Sequence, residues 1–216
     1  SFVDDFEAME EQPYQELLND EKVTGFVTRA AEYCTLVENT GNFNKIDFIQ
    51  KSIRLLSGLY SAMAEMPEVK NATDSVNQKF VSENDWHRIY NLVHQKLGYH
   101  DDYVDVYDPV AKEDQDVSIV SLADNYADIY QDLKDFISLY SMGNEEVMVD
   151  ALWECRMNFE EYWGPRLLSA LRTLHRLFFS DEDLEDEASP DDADQQQSGR
   201  DNWLFDRKQQ QYNKDE

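Results

Sequence analysis

The sequence predicts an all-α domain of about six helices, and three observations predict it. Apolar residues recur at intervals of three and four along successive long segments, the spacing that lines up on one helix face. Glycine (7) and proline (5) are too scarce in 216 residues for a turn-rich β architecture. Helix start and stop signals bracket the periodic segments, among them Ser82 with Asp85, Asn144, and Asn39-Thr40-Gly41. With 41% hydrophobic residues, the length suits one domain with tails. The boundaries expected are an arm over 1–19, a helical domain over 20–179 and an acidic disordered tail over 180–216.

The arm is acidic, with scattered anchors Phe2, Phe6, Met9, Leu17 and Leu18, and Pro13 interrupts any long helix. It is either a short docking helix or a loose segment. A first helix follows over about Asp20 to Asn39 with the stripe Val23, Phe26, Val27, Ala30, Cys34 and Val37. A second runs from about Asn44 to Glu65, its stripe Ile46, Ile49, Ile53, Leu56, Tyr60 and Met63, and Pro67 follows it. After a polar connection over Glu68 to Lys79, Ser82-Glu83-Asn84-Asp85 forms a capping-box pattern. The third helix continues from there to Leu97 and stops at Gly98.

Residues Tyr99 to Pro109 mix aromatics and acids without helical period and are expected to form a structured loop with about one helical turn; Lys112 to Asp116 continue it in solvent. The fourth helix is expected from near Ser118 to Tyr140, its stripe Leu122, Tyr126, Ile129, Leu133, Phe136 and Tyr140. A fifth starts at Asn144, a favourable cap with Glu145 and Glu146 at the positive end of the helix, and reaches Trp163. It is apolar on nearly every face but one, which marks it as the central helix. Gly164-Pro165 should kink or break it before a last helix with Leu167, Leu168, Leu171, Leu174, Leu177 and Phe178. From Asp181 to Asp194 the chain is nearly all acid and lacks the apolar content to order itself; Trp203-Leu204-Phe205 is an apolar island within the tail.

Several stretches resemble a bacterial, all-helical family known only as a domain of unknown function. They are Ala30-Ala31-Glu32-Tyr33-Cys34, Leu97-Gly98-Tyr99-His100-Asp101-Asp102-Tyr103, Ser121-Leu122-Ala123-Asp124, Asp128 to Phe136, Ala151-Leu152-Trp153-Glu154-Cys155 and Asn158 to Gly164. The resemblance spans roughly Glu21 to Phe179. It implies a helical bacterial protein and carries no catalytic role to any residue.

Asp and Glu total 46 against 19 Lys and Arg, a formal charge of −27. That surplus repels phosphate backbones and anionic headgroups, so nucleic acid and membrane are not expected partners. A protein partner, in particular a basic one, is. No 18-residue apolar run and no basic-then-apolar leader occur, which reads as a soluble cytoplasmic protein; a leader preceding Ser1 is left open. Cys34 and Cys155 are expected as reduced core thiols.

Two helices carry polar residues at one shared spacing: Asp124, Asp128, Asp132 and Asp135 on the fourth, and Asp150, Glu154, Asn158 and Glu161 on the fifth. Each set falls within an ~80° stripe. The fourth-helix acids lie opposite its apolar stripe and are expected in water. Glu154 and Asn158 are expected to be partly buried. With Glu161 they would then form a buried polar site, a structural network with a base such as Arg166 or Arg172, or with Arg29 or Arg54 from other helices. The chemical alternative joins Asp124, Asp128, Glu154 and Glu161 around Mg²⁺ or Mn²⁺, because hard cations take several oxygens at short range. In the loop, His100 beside Asp101 is a second candidate, more simply read as a local hydrogen bond. No nucleophile motif, phosphate loop or zinc spacing is present, so no catalytic residue and no cofactor are assigned. The leading expectation is a non-enzymatic interaction module acting through its acidic surface. The alternative is a metal-dependent hydrolase of a nucleotide or other phosphate ester.

Overall fold

The computed structural model describes residues 14–106 and 117–185. Six helices carry the fold: α1 (Glu21–Glu38), α2 (Lys45–Ala64), α3 (Glu83–Leu97), α4 (Leu122–Tyr140), α5 (Glu145–Asn158) and α6 (Gly164–Phe179). A two-stranded antiparallel sheet, β1 (Asp102–Val106) and β2 (Val117–Ser121), sits between α3 and α4. The chain is all-α with a small hairpin. Expected anchors Phe2, Phe6 and Met9, the segment Lys112 to Asp116, and the tail beyond Glu185 lie outside the described residues.

Local chemistry fixes the helix ends. Asp20 accepts from the Lys22 amide, Asn44 from Asp47, and Asn144 from Val147, so each helix opens with orphan donors satisfied. The Ser82/Asp85 capping box is complete, each side chain bonding the other's backbone amide. Gly98 closes α3 at φ 56°, a conformation costly for a side-chain-bearing residue.

Tyr99 to Val106 depart from the expected loop; Tyr107 to Pro109 lie outside the described residues. One 3₁₀ turn (Gly98–His100) is followed by strand β1, which pairs with β2 in the register Asp102↔Ser121 to Val106↔Val117. The fourth helix consequently starts at Leu122 and not near Ser118: Ser118 to Ser121 belong to β2, and Ser121 caps α4 by accepting from Asp124. Valine and isoleucine favour the pleated backbone here, and the strand is completed by a partner from across the hairpin.

The central helix is α4, not α5. It packs against α1, α3, α5, α6 and β2, and it buries Leu122, Ala123, Asn125, Tyr126, Ala127, Ile129, Tyr130, Leu133, Asp135, Phe136 and Leu139. Helix α5 packs chiefly on α4 and buries only Val149, Asp150, Ala151, Leu152 and Cys155. Two stripes are also rotated from expectation. In α2, Phe48 and Leu59 turn inward while Tyr60 is 36% exposed; in α6, Leu168 is 47% exposed while Ala170 is buried. Residues 14–18 are helical, and Leu17 and Leu18 join the core margin.

At Gly164-Pro165 the helical bonding changes register. Phe159–Trp163 form a π-helical turn, closed by the Gly164 amide donating to Phe159 O, and α6 begins with Pro165 in its first turn, where a missing amide costs nothing. Trp163, fully buried, donates to Cys155 O at 3.0 Å and packs on Phe159 and Phe26.

Candidate functional site

The two polar stripes do meet, and what they hold first is the protein's own chain. Residues 66–82 cross the molecule without regular structure between α2 and α3. Such a strap has amides that must find acceptors. Asp150, 5% exposed, accepts from the amides of Ala72 (2.6 Å) and Thr73 (3.1 Å) on Oδ1 and from the Thr73 hydroxyl on Oδ2 (2.5 Å). One turn on, Glu154 takes Asn77 Nδ2 at 2.9 Å and Lys79 Nζ at 2.7 Å. From α4, Asp135 accepts from the amides of Phe80 (2.7 Å) and Val81 (2.9 Å). Three carboxylates from two helices thus fasten the strap at three points.

The α4 acids expected in water are therefore not there. Asp135 is buried, and Asp124, Asp128 and Asp132 are half-buried, because the strap and the aromatic face of α3 cover that side of the helix. Asp128 Oδ1 accepts from Trp86 Nε1 (2.9 Å) and its Oδ2 from Arg166 Nε (2.8 Å). Arg166, expected as a partner of Glu154, pairs with Asp128 instead, and its guanidinium lies 3.6 Å from the Tyr162 ring centre. Lys79 of the strap takes the place at Glu154.

Asp132 receives Asn158 Nδ2 at 2.9 Å, the direct link between the two stripes. Burial pushes its carboxyl up to about 6, with Asp135 and Glu154 adding to the rise and Asn158 and Lys79 opposing it. Burial, helped by Asp128, Asp101 and Asp102, raises Asp124 as well. Beside Asp132 opens a cleft of about 520 Å³, lined by Lys79, Gln131, Met157, Asn158, Glu161 and Tyr162. Of the four residues expected around a cation, none is bonded to another: Asp128 and Glu154 are engaged as above, Asp124 lies towards the hairpin, and Glu161 is exposed at the cleft. Among the described residues no group of three or more His, Cys, Asp or Glu is arranged to hold a metal ion.

His100 and Asp101 are neighbours in sequence that serve different clusters. His100, 1% exposed, faces Lys45 Nζ through Nδ1 (3.4 Å) and Glu182 through Nε2 (3.3 Å), with Tyr99 packed on its ring. Asp101, equally buried, accepts from His94 Nδ1 (2.7 Å), Ser121 Oγ (2.9 Å) and the Ala123 amide (2.6 Å). It ties α3, the hairpin and the first turn of α4 together. Trp86, Tyr90 and His94, one turn apart on α3, form a stacked ladder along the α4 acids. Sequence reasoning gave His94 no role, because its partner is set by a fold contact and not by a motif. The i, i+4, i+8 spacing of the ladder was the available signal. Cys34 and Cys155 are free and buried; burial pushes Cys34 up to about 12 and Cys155 well above its usual value, so both are held as thiols.

A family model described as a domain of unknown function, DUF5063, matches residues 18–180. The crystal structure of the protein BF1032 from Bacteroides fragilis is similar, with 29% identity and a TM-score of 0.68 over 77% of this chain and 98% of that one. No curated protein matches. Among the described residues no helix is long and apolar enough to cross a membrane.

Proposed function

The chain belongs to the DUF5063 family, a domain of unknown function, and from that premise we propose that it is a non-enzymatic interaction module whose negative surface receives a basic protein partner. One observation carries the reading. The cations near the acid stripes are already spent inside the molecule: Lys79 on Glu154, Lys134 on Glu38, Arg166 on Asp128, and Arg156 on Met63 O and Glu160. In a chain of net charge −27 the outward field beside those stripes is then left to acids. The partner is a protein rich in Lys or Arg, recognised over an extended surface. Calorimetry with a Lys/Arg-rich peptide should show binding at about 50 mM salt that weakens several-fold near 300 mM, as the screening length shortens. Equal affinity for an acidic peptide of the same length, or none for the basic one, would remove the reading.

A metal-dependent hydrolase is the second reading, favoured by the cleft in which Asp132, its carboxyl raised to about 6, meets Asn158 beside Glu161. Its test is titration with Mg²⁺ and Mn²⁺ of the wild type and of Asp132→Asn and Glu161→Gln. Loss of a saturable heat signal in both variants supports it; absence of any signal in the wild type rejects it.

A further inference from the structure

Helix α6 is the exception in this acidic chain. Between Glu161 and Asp181 there is no carboxylate, and the helix carries Arg166, Arg172, His175 and Arg176. Arg166 turns inward to Asp128, but Pro165, Leu168, Arg172, His175, Arg176 and Phe179 are exposed. Spacings of three and four place them on one side of the helix, within ~100°. Leu168 is 47% and Phe179 68% exposed, so the face is apolar as well as basic. The face thus offers an amphipathic ligand cationic and apolar groups side by side.

We propose that this face is the docking strip for the chain's own C-terminal segment, with the acids of 186–194 against Arg172 and Arg176 and the island Trp203-Leu204-Phe205 against Leu168 and its neighbours. Charge selects the occupant. A second copy of α6 would set arginine against arginine, and a basic partner would be repelled, whereas Asp186, Glu187, Asp191, Asp192 and Asp194 complement the strip. Position selects it too. After α6 the chain is held back against the body: Tyr99 donates to Asp183 O at 3.3 Å, Glu182 faces His100, and Leu184 packs on the core margin. The acid run therefore starts within a few residues of Phe179. Trp203 lies 18 residues past Glu185, a length of chain that can span up to about 60 Å, while Phe179 to Leu168 is about 16 Å along the helix. Tethering supplies the segment at an effective concentration near the millimolar range, so a modest contact suffices. The inference stands apart from the reading of a basic partner and needs none.

Disulfide trapping in the full chain tests it, the two native cysteines being buried. The pair Leu168→Cys with Leu204→Cys should close within one molecule about tenfold faster than the control pair Glu32→Cys with Leu204→Cys, whose α1 site is also exposed. High salt or the double change Arg172→Glu, Arg176→Glu should erase the difference. Equal rates for the two pairs would overturn the proposal. So would cross-linking only between molecules, rising with protein concentration, which would assign the strip to a second copy. Glu32, Leu168, Arg172 and Arg176 are exposed, so a folded variant is expected, and the charge reversal gives an independent check.

Discussion

Asp132 shows how far a single carboxyl can depart from what its sequence position suggests. Its stripe lies opposite the apolar residues of α4, so periodicity places it in water. The strap and α5 place it half-buried, with its carboxyl raised to about 6 from 3.8. A carboxyl that holds its proton more tightly when folded favours the folded state below the unfolded value, and that stability is lost as pH rises through the folded one. Asp132→Asn keeps an acceptor for Asn158 and removes the titration. The variant should match or fall below wild type at pH 3.8 and be the more stable at pH 7.5, the crossover lying between pH 4 and 6; urea melts at each pH measure it. A difference independent of pH would mean that Asp132 is solvated in the folded protein. His94 teaches the complementary lesson. Two acids, Asp101 and Asp102, follow His100 in sequence, which drew attention there, yet the histidine that Asp101 holds is His94, in the last turn of α3. Sequence adjacency ranks local partners, and burial of a carboxylate selects whichever donor the fold delivers.

At the scale of elements, most of what was legible lay in helix ends, where a residue's own side chain answers its own backbone. Asp20, Asn44, Ser82, Gly98 and Asn144 mark their termini in sequence and in space. The hairpin was not legible, because each strand is five residues long and its partner lies beyond an intervening segment, so neither shows a period by itself. The strap was illegible for a related reason: the acceptors for its amides come from Asp150, about 77 positions away, and from Asp135. It separates into two halves by anchor. Asp150→Ala leaves the Ala72 and Thr73 amides without their acceptor and should cost about 3 kcal/mol. Amide exchange should speed up at Ala72 and Thr73 while Phe80 and Val81, held by Asp135, stay protected; uniform loss along the strap would show that it opens as one unit. The π turn makes a second prediction. A Cβ on Gly164 would lie 2.3 Å from Phe159 O, closer than atoms can approach. Gly164→Ala should destabilise by about 3 kcal/mol or more, against the few tenths gained by an alanine at an unconstrained helix site. A neutral result in a denaturant melt would mean the turn relaxes to α-helical bonding.

For the whole molecule, the placement of α4 explains why the acids were misjudged. A helix with one apolar stripe and one acidic stripe is drawn as a surface helix when only two media, core and water, are allowed. Here the second stripe faces neither. It faces backbone amides of the strap, Trp86, Arg166 and Asn158, so α4 is central and both of its faces are used. Internal pairing of this kind is short-ranged and little affected by salt, whereas the remaining surplus of acids acts over a Debye length and opposes compaction. The two contributions therefore separate with ionic strength. Raising salt from about 20 mM to about 500 mM should increase the thermal midpoint by several degrees, because the repulsion of a −27 chain is screened while Asp150, Asp135 and Glu154 keep their donors. Lys79→Met removes the one cation among the strap anchors, and because that ion pair is half-exposed and the change adds to the net negative charge, it should lower the midpoint more at the low salt than at the high one. Calorimetric scans of both proteins at the two salts decide the matter: a midpoint that falls with salt would place the dominant electrostatics in attractive surface pairs and not in like-charge repulsion.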